Sequence, residues 1–114
     1  MKNTFLIIIL LASFTLISSC KKDKSSACDI ITFAVNGENW NIATGAEPVL
    51  ITKIFPKGSN VSNLTPTIVV SNGATVSPKS GEAKNFSQDV QYTVTAEDGK
   101  TTKRYTAQAI VATE

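Results

Sequence analysis

Apolar and polar residues alternate most regularly in Asp89–Val111, DVQYTVTAEDGKTTKRYTAQAIV. Val90, Tyr92, Val94 and Ala96 alternate with Gln91, Thr93, Thr95 and Glu97. A period of two places one face of a strand on a core and the other in water. Asp98-Gly99 follows, a hairpin signal because glycine tolerates the positive φ of tight turns. In the return arm Tyr105, Ala107, Ala109 and Val111 alternate with Arg104, Thr106, Gln108 and Ile110. A one-residue slip would turn every side chain over, so a shared core face requires an even loop. A two-residue loop sets Tyr92 opposite Tyr105, and a four-residue loop sets Val94 opposite Tyr105. The pattern leaves both open. It predicts that Tyr92, Val94 and Tyr105 face the core, with Thr106 facing water. An isolated hairpin is marginal in water, so this one needs more sheet.

The preceding residues supply it. Ile30–Val35 (IITFAV) reads as a strand by its β-branched and aromatic content, and Asn36-Gly37 as a turn. Trp40–Ile42 reads as a brief second strand and Val49–Phe55 as a third, ended by Pro56 and Gly58. Thr67–Val70 is a short apolar strand, and Asn72-Gly73 turns it into Ala74–Ser77. Pro78 and Gly81 end that segment, and Ala83–Phe86 extends briefly. No helical period and no internal repeat interrupts the series. Closely spaced turn signals predict an all-β, antiparallel β-sandwich of six to eight short strands.

The N-terminus has another pattern. Phe5–Ile17 (FLIIILLASFTLI) is continuously apolar over 13 residues. A bilayer span needs about 20, so this length fits the hydrophobic region of an export signal. Ile17-Ser18-Ser19-Cys20 closes it and resembles the lipobox of bacterial lipoprotein precursors, with Ile where Leu is commoner. The resemblance implies cleavage before Cys20 and a diacylglyceryl group on its thiol, usually with acylation of the new amine. Several acyl chains at about 0.8 kcal/mol per buried CH₂ anchor a protein permanently. The organisation expected is a signal peptide at 1–19, a lipidated Cys20 with a flexible tether to 28, and a domain at 29–114. Lys21–Ala27 (KKDKSSA) is polar and without periodicity. It resembles the surface-export signals of lipoproteins in polysaccharide-harvesting Gram-negative bacteria, although Asp23 is its one acidic residue. It reads equally as a solubilising spacer. The localisation expected is the outer membrane, facing either the periplasm or the cell surface.

Charge narrows the partners. The chain carries +2, but Asp29–Thr113 holds seven basic and seven acidic residues, and the excess sits in Lys21, Lys22 and Lys24. No basic footprint for nucleic acid exists, and Lys103-Arg104 reads as a solvated strand edge. Cys28 is left without an intrachain partner once Cys20 is lipidated, either as a free buried thiol, in an intermolecular pair, or as a tolerated substitution.

From Ile30 to Val111 the chain resembles an immunoglobulin-like domain of unknown function, found in outer-membrane lipoproteins of polysaccharide-degrading bacteria. It is also similar to bacterial cadherin-like and fibronectin-like sandwiches. Phe55-Pro56-Lys57-Gly58, Asn63-Leu64-Thr65-Pro66, Gly73–Pro78, Ser80-Gly81, Phe86, Asp89, Tyr92–Gly99 and Tyr105 carry it in order. That family has no established catalytic residues, so the resemblance implies none. Such modules often precede other domains, and with nothing following Glu114 a pure spacer role is not expected.

Candidate chemistry is sparse. Histidine, the commonest general base, is absent. No serine lies in a G-x-S-x-G context, and no glycine-rich phosphate loop is present. Neither an enzyme nor a cofactor is expected. Cys28 alone is no metal-ligand set, and Asp89, Glu97 and Asp98 lack the loop spacing of a Ca²⁺ site. Asp89-x-x-Tyr92 predicts a tyrosine corner, whose hydroxyl bonds nearby backbone. Trp40, the only Trp, is the candidate for stacking on a sugar, against a role as core anchor. Asn60, Asn63 and Asn85 match a glycosylation pattern but read as loop composition. The function expected is a non-catalytic, membrane-anchored lipoprotein module that binds or assembles at the cell envelope. The alternatives are a glycan-binding accessory in polysaccharide uptake, and a structural or adhesive module that pairs with an envelope protein through an edge strand.

Overall fold

A computed structural model describes residues 24–114 of the chain. The expected signal peptide and lipidated Cys20 lie outside the described residues. Eight strands form two sheets: β1 (Ile30–Val35), β2 (Glu38–Asn39), β3 (Asn41–Ile42), β4 (Val49–Phe55), β5 (Thr67–Val70), β6 (Thr75–Ser77), β7 (Val90–Thr95) and β8 (Thr102–Val111). The smaller sheet runs β2-β1-β5 and the larger β3-β4-β8-β7-β6. The all-β sandwich expected from the turn signals is the fold. Ala83–Phe86 forms no strand and contributes one isolated bridge, Leu64 to Lys84.

Local sequence explains the strongest elements. β1 ends where Asn36 (φ 53°) and Gly37 (φ 82°) both take positive φ. That is the hairpin geometry Asn-Gly favours, because Asn and Gly tolerate it best. β7 and β8 pair with Tyr92 opposite Tyr105 and Thr95 opposite Thr102, the register of the two-residue loop. The Asp98 carboxylate accepts from the N–H groups of Lys100 (2.7 Å) and Thr101 (2.9 Å), which fixes the turn. These bonds hold its carboxyl below the usual range.

One pairing departs from the antiparallel pattern. β4 lies parallel to β8 from Val49–Tyr105 to Phe55–Val111. Parallel neighbours need a long crossover, and here the chain passes through β5, β6 and β7 between them. No alternation within either strand encodes that choice.

The core fills the space between the sheets. Phe33, Ile51, Tyr92, Val94 and Ala107 are completely buried, and Phe86 and Tyr105 nearly so. Thr106, expected to face water, is buried at 8% exposure. It is on the outer face by alternation, but β8 lies between two strands, with Leu50 and Gln91 as its lateral neighbours. A central strand shades both of its faces. The expected tyrosine corner is also corrected: the Tyr92 hydroxyl is buried and makes no hydrogen bond among the described residues. Tyr92 sits in mid-strand, and strand side chains stand perpendicular to the sheet. Its ring therefore projects to Phe33, edge-on at 5.5 Å, instead of back to its own backbone. Burial, with a smaller contribution from the Glu82 charge, pushes its hydroxyl pKa up to about 12. The neighbouring Tyr105 hydroxyl accepts from the Ile30 N–H at 3.0 Å and ties the two sheets together.

The end of the expected tether lies on the domain. Ser25 N–H donates to the Glu97 carboxylate (3.1 Å), and Asp98 N–H donates to Ser25 carbonyl oxygen (3.1 Å). Cys28 is a free, buried thiol, raised in pKa chiefly by desolvation.

Candidate functional site

The chain crosses between the two sheets at Trp40. β2 pairs with β1, Val35 opposite Glu38 and Ala34 opposite Asn39. β3 pairs with β4, Asn41 opposite Thr52 and Ile42 opposite Ile51. Trp40 belongs to neither strand, although its N–H donates to Phe33 carbonyl oxygen at 2.7 Å. Its indole enters the core with ring centroids 5.0 Å from Phe33, 5.3 Å from Phe86 and 5.8 Å from Phe55. At 5% exposure it has no open face on which a sugar ring can stack. The stacking role suggested for Trp40 is therefore corrected to that of a core anchor. The physical reason is the same alternation that turns its neighbours Asn39 and Asn41 to solvent.

Two shallow recesses flank this crossing. One, of about 270 Å³, includes Ile31, Thr32, Asn39, Trp40 and Asn41 in its lining. The other, of about 450 Å³, is lined by Asn39, Asn41, Thr52, Lys53 and Ile54. Asn39 and Asn41 belong to both and are exposed. Neither amide side chain has a hydrogen-bond partner among the described residues, whereas Asn60 and Asn85 each accept from a serine two residues on. Those two bonds form local turns, in agreement with the reading of both motifs as loop composition. Lys53 is neutralised by Glu38 at 3.2 Å. Sequence reasoning singled out the Trp and passed over the asparagines beside it. The available signal was Asn-Trp-Asn itself, since an inward Trp in an extended run places both neighbours outward.

The other candidates do not converge. Asp89 accepts from Gln108 at 3.2 Å near the start of β7, whereas Glu97 and Asp98 serve Ser25 and the hairpin turn beyond its end. Six strand residues, roughly 20 Å, separate the two ends. Among the described residues no group of three or more His, Cys, Asp or Glu is placed to hold a metal ion. Lys103 binds Asp29 at 2.6 Å, which raises its pKa. The Arg104 backbone N–H donates to Glu47 at 2.8 Å, and its guanidinium lies 3.8 Å from the same carboxylate.

Comparison with known proteins places this geometry in a lineage. Residues 30–109 match the family described as SGBP, N-terminal, and the chain belongs to it. That family is associated with glycan binding at the cell surface. No curated protein matches the chain. Among solved structures, a Bacteroides thetaiotaomicron VPI-5482 protein provisionally described as a glycoside hydrolase is 31% identical over 81% of this chain, with a TM-score of 0.67. The match spans only 27% of that protein. A protein from Bacteroides fragilis NCTC 9343, provisionally described as secreted, shares the fold at 21% identity and a TM-score of 0.55. That match covers 75% of this chain and 96% of the other.

Proposed function

From membership of the SGBP N-terminal family we propose that this protein is a non-catalytic, lipid-anchored module of a surface glycan-binding assembly. It works by positioning and assembly at the outer membrane. The observation that carries this reading is the placement of the two ends of the domain. Ser25 is bonded at the β7–β8 turn, five residues after Cys20. Ala112 N–H donates to Phe55 carbonyl oxygen at the opposite end of β8. The ten residues of β8 lie between these poles, a span of roughly 33 Å. A domain anchored at one pole presents the other away from the membrane. The match spans only 27% of the Bacteroides thetaiotaomicron protein, so that protein carries such a domain beside further chain, in keeping with a positioning role. The burial of Trp40, Tyr92 and Tyr105 supports the same reading, because none of these three rings is open for a sugar to stack on.

The anchor is tested by growing cells expressing the wild-type protein and Cys20→Ala with a labelled fatty acid. Label and membrane retention are expected in the wild type and absent in the variant. Label incorporated into Cys20→Ala would exclude the anchor at this position.

A further inference from the structure

We infer that Asn39 and Asn41, projecting side by side from the sheet crossing, form a contact site for a neutral glycan chain. This rests on the glycan-associated reading above and gives it a place in this domain. Extended residues two apart lie roughly 6.5–7 Å from each other and point to the same side. The buried Trp40 between them holds both amides outward, and neither has a protein partner among the described residues. An amide both donates and accepts, so the pair offers the complementary groups that sugar hydroxyls require. Thr32 and Thr52 add a hydroxyl to each recess.

The register of β1 against β5 shifts between Ile30 and Thr32, which breaks the alternation at Ile31 and leaves its side chain exposed beside the first recess. Leu50 carbonyl oxygen accepts from Ala43, so the backbone groups of Ile54 face the β3 edge, past the last β3 pair at Thr52. Ile31 and Ile54 are the most exposed large hydrophobic residues described, at 60% and 70%. Each flank thus offers an exposed aliphatic side chain, suited to the C–H face of a sugar, and on the β4 side it lies beside hydrogen-bonding backbone. With Lys53 bound to Glu38, the recesses hold no free charge, which favours a neutral ligand over an anionic one.

The test is affinity electrophoresis of the detergent-solubilised full chain through gels containing soluble starch, mixed-linkage β-glucan, arabinoxylan, galactomannan or polygalacturonate. Wild-type protein is expected to be retarded in at least one of the four neutral gels. The double variant Asn39→Ala/Asn41→Ala is expected to bind at least about tenfold more weakly, the combined effect of two lost hydrogen-bonding groups. Both side chains are exposed, so the variant should melt with the wild type. Fatty-acid labelling and membrane retention should be unchanged in it, and they report on the anchored-module reading separately. Retardation in no neutral gel, retardation by polygalacturonate alone, or unchanged retardation of a folded double variant would each overturn the assignment.

Discussion

The β7–β8 hairpin and the Trp40 crossing use the same local rule and reach different architectures. In both, extended backbone sends an aromatic side chain inward and its polar neighbours outward. In the hairpin the register runs unbroken from Val90–Ala107 to Thr95–Thr102, and the second strand gains a further partner in β4. In Glu38–Ile42 the first two residues pair with one sheet and the last two with the other. The hairpin is thereby shaded on both faces, to the point that outward Thr106 is buried. The crossing leaves two half-edges and two amides in solvent. Side-chain facing is a property of a few consecutive residues, whereas the choice of hydrogen-bond partner depends on the whole sandwich.

Removing the central aromatic of each region tests whether both are anchored to the same core. Trp40→Ala and Tyr105→Ala should each cost about 3–5 kcal/mol, read as a shift of the urea midpoint. That is a large share of the stability of a small domain. A loss below about 1 kcal/mol for Trp40→Ala would mean that the indole does not pin the crossing.

A smaller effect separates the two tyrosines of the hairpin. An unfolded tyrosine titrates near 10, and burial raises Tyr92 to about 12 in the folded protein. The folded state therefore holds that proton more tightly. Its contribution is fully present below pH 10 and declines as pH rises through 12, by roughly 2–3 kcal/mol at the upper end. Chemical denaturation between pH 9 and 12 should show a steeper fall for the wild type than for Tyr92→Phe. At neutral pH Tyr92→Phe should leave stability unchanged or higher, because it deletes an unpartnered buried hydroxyl. Tyr105→Phe should lose about 1 kcal/mol with the Ile30 bond. Equal losses for the two substitutions would erase the distinction.

The smallest expected effect is at Thr106. Its burial comes from neighbours on the outer face of a central strand, with no place in the inter-sheet core. Thr106→Ala should cost less than about 1 kcal/mol, well below Tyr105→Ala. A loss equal to that of Tyr105→Ala would show that the outer face contributes to stability as the core does.

The fold was legible where its cause is local. Ile30–Val35, Val49–Phe55 and Thr67–Val70 form strands with the bounds their composition indicates, and Asn36-Gly37 turns as its backbone freedom requires. Cross-strand register in the hairpin narrowed to two even loops because alternation forbids odd ones. Other features needed the assembled protein. The parallel β4–β8 pair joins segments with three strands between them in sequence, and no residue in either names its partner. Tyr92 and Tyr105 read alike in sequence, yet Ile30 N–H lies within reach of only one hydroxyl. For the candidate site, sequence supplied the Trp and its alternation. The two open recesses beside Asn39 and Asn41 exist because one short segment divides its hydrogen bonds between two sheets. That division depends on sheets packed face to face, a long-range arrangement that a five-residue pattern does not contain.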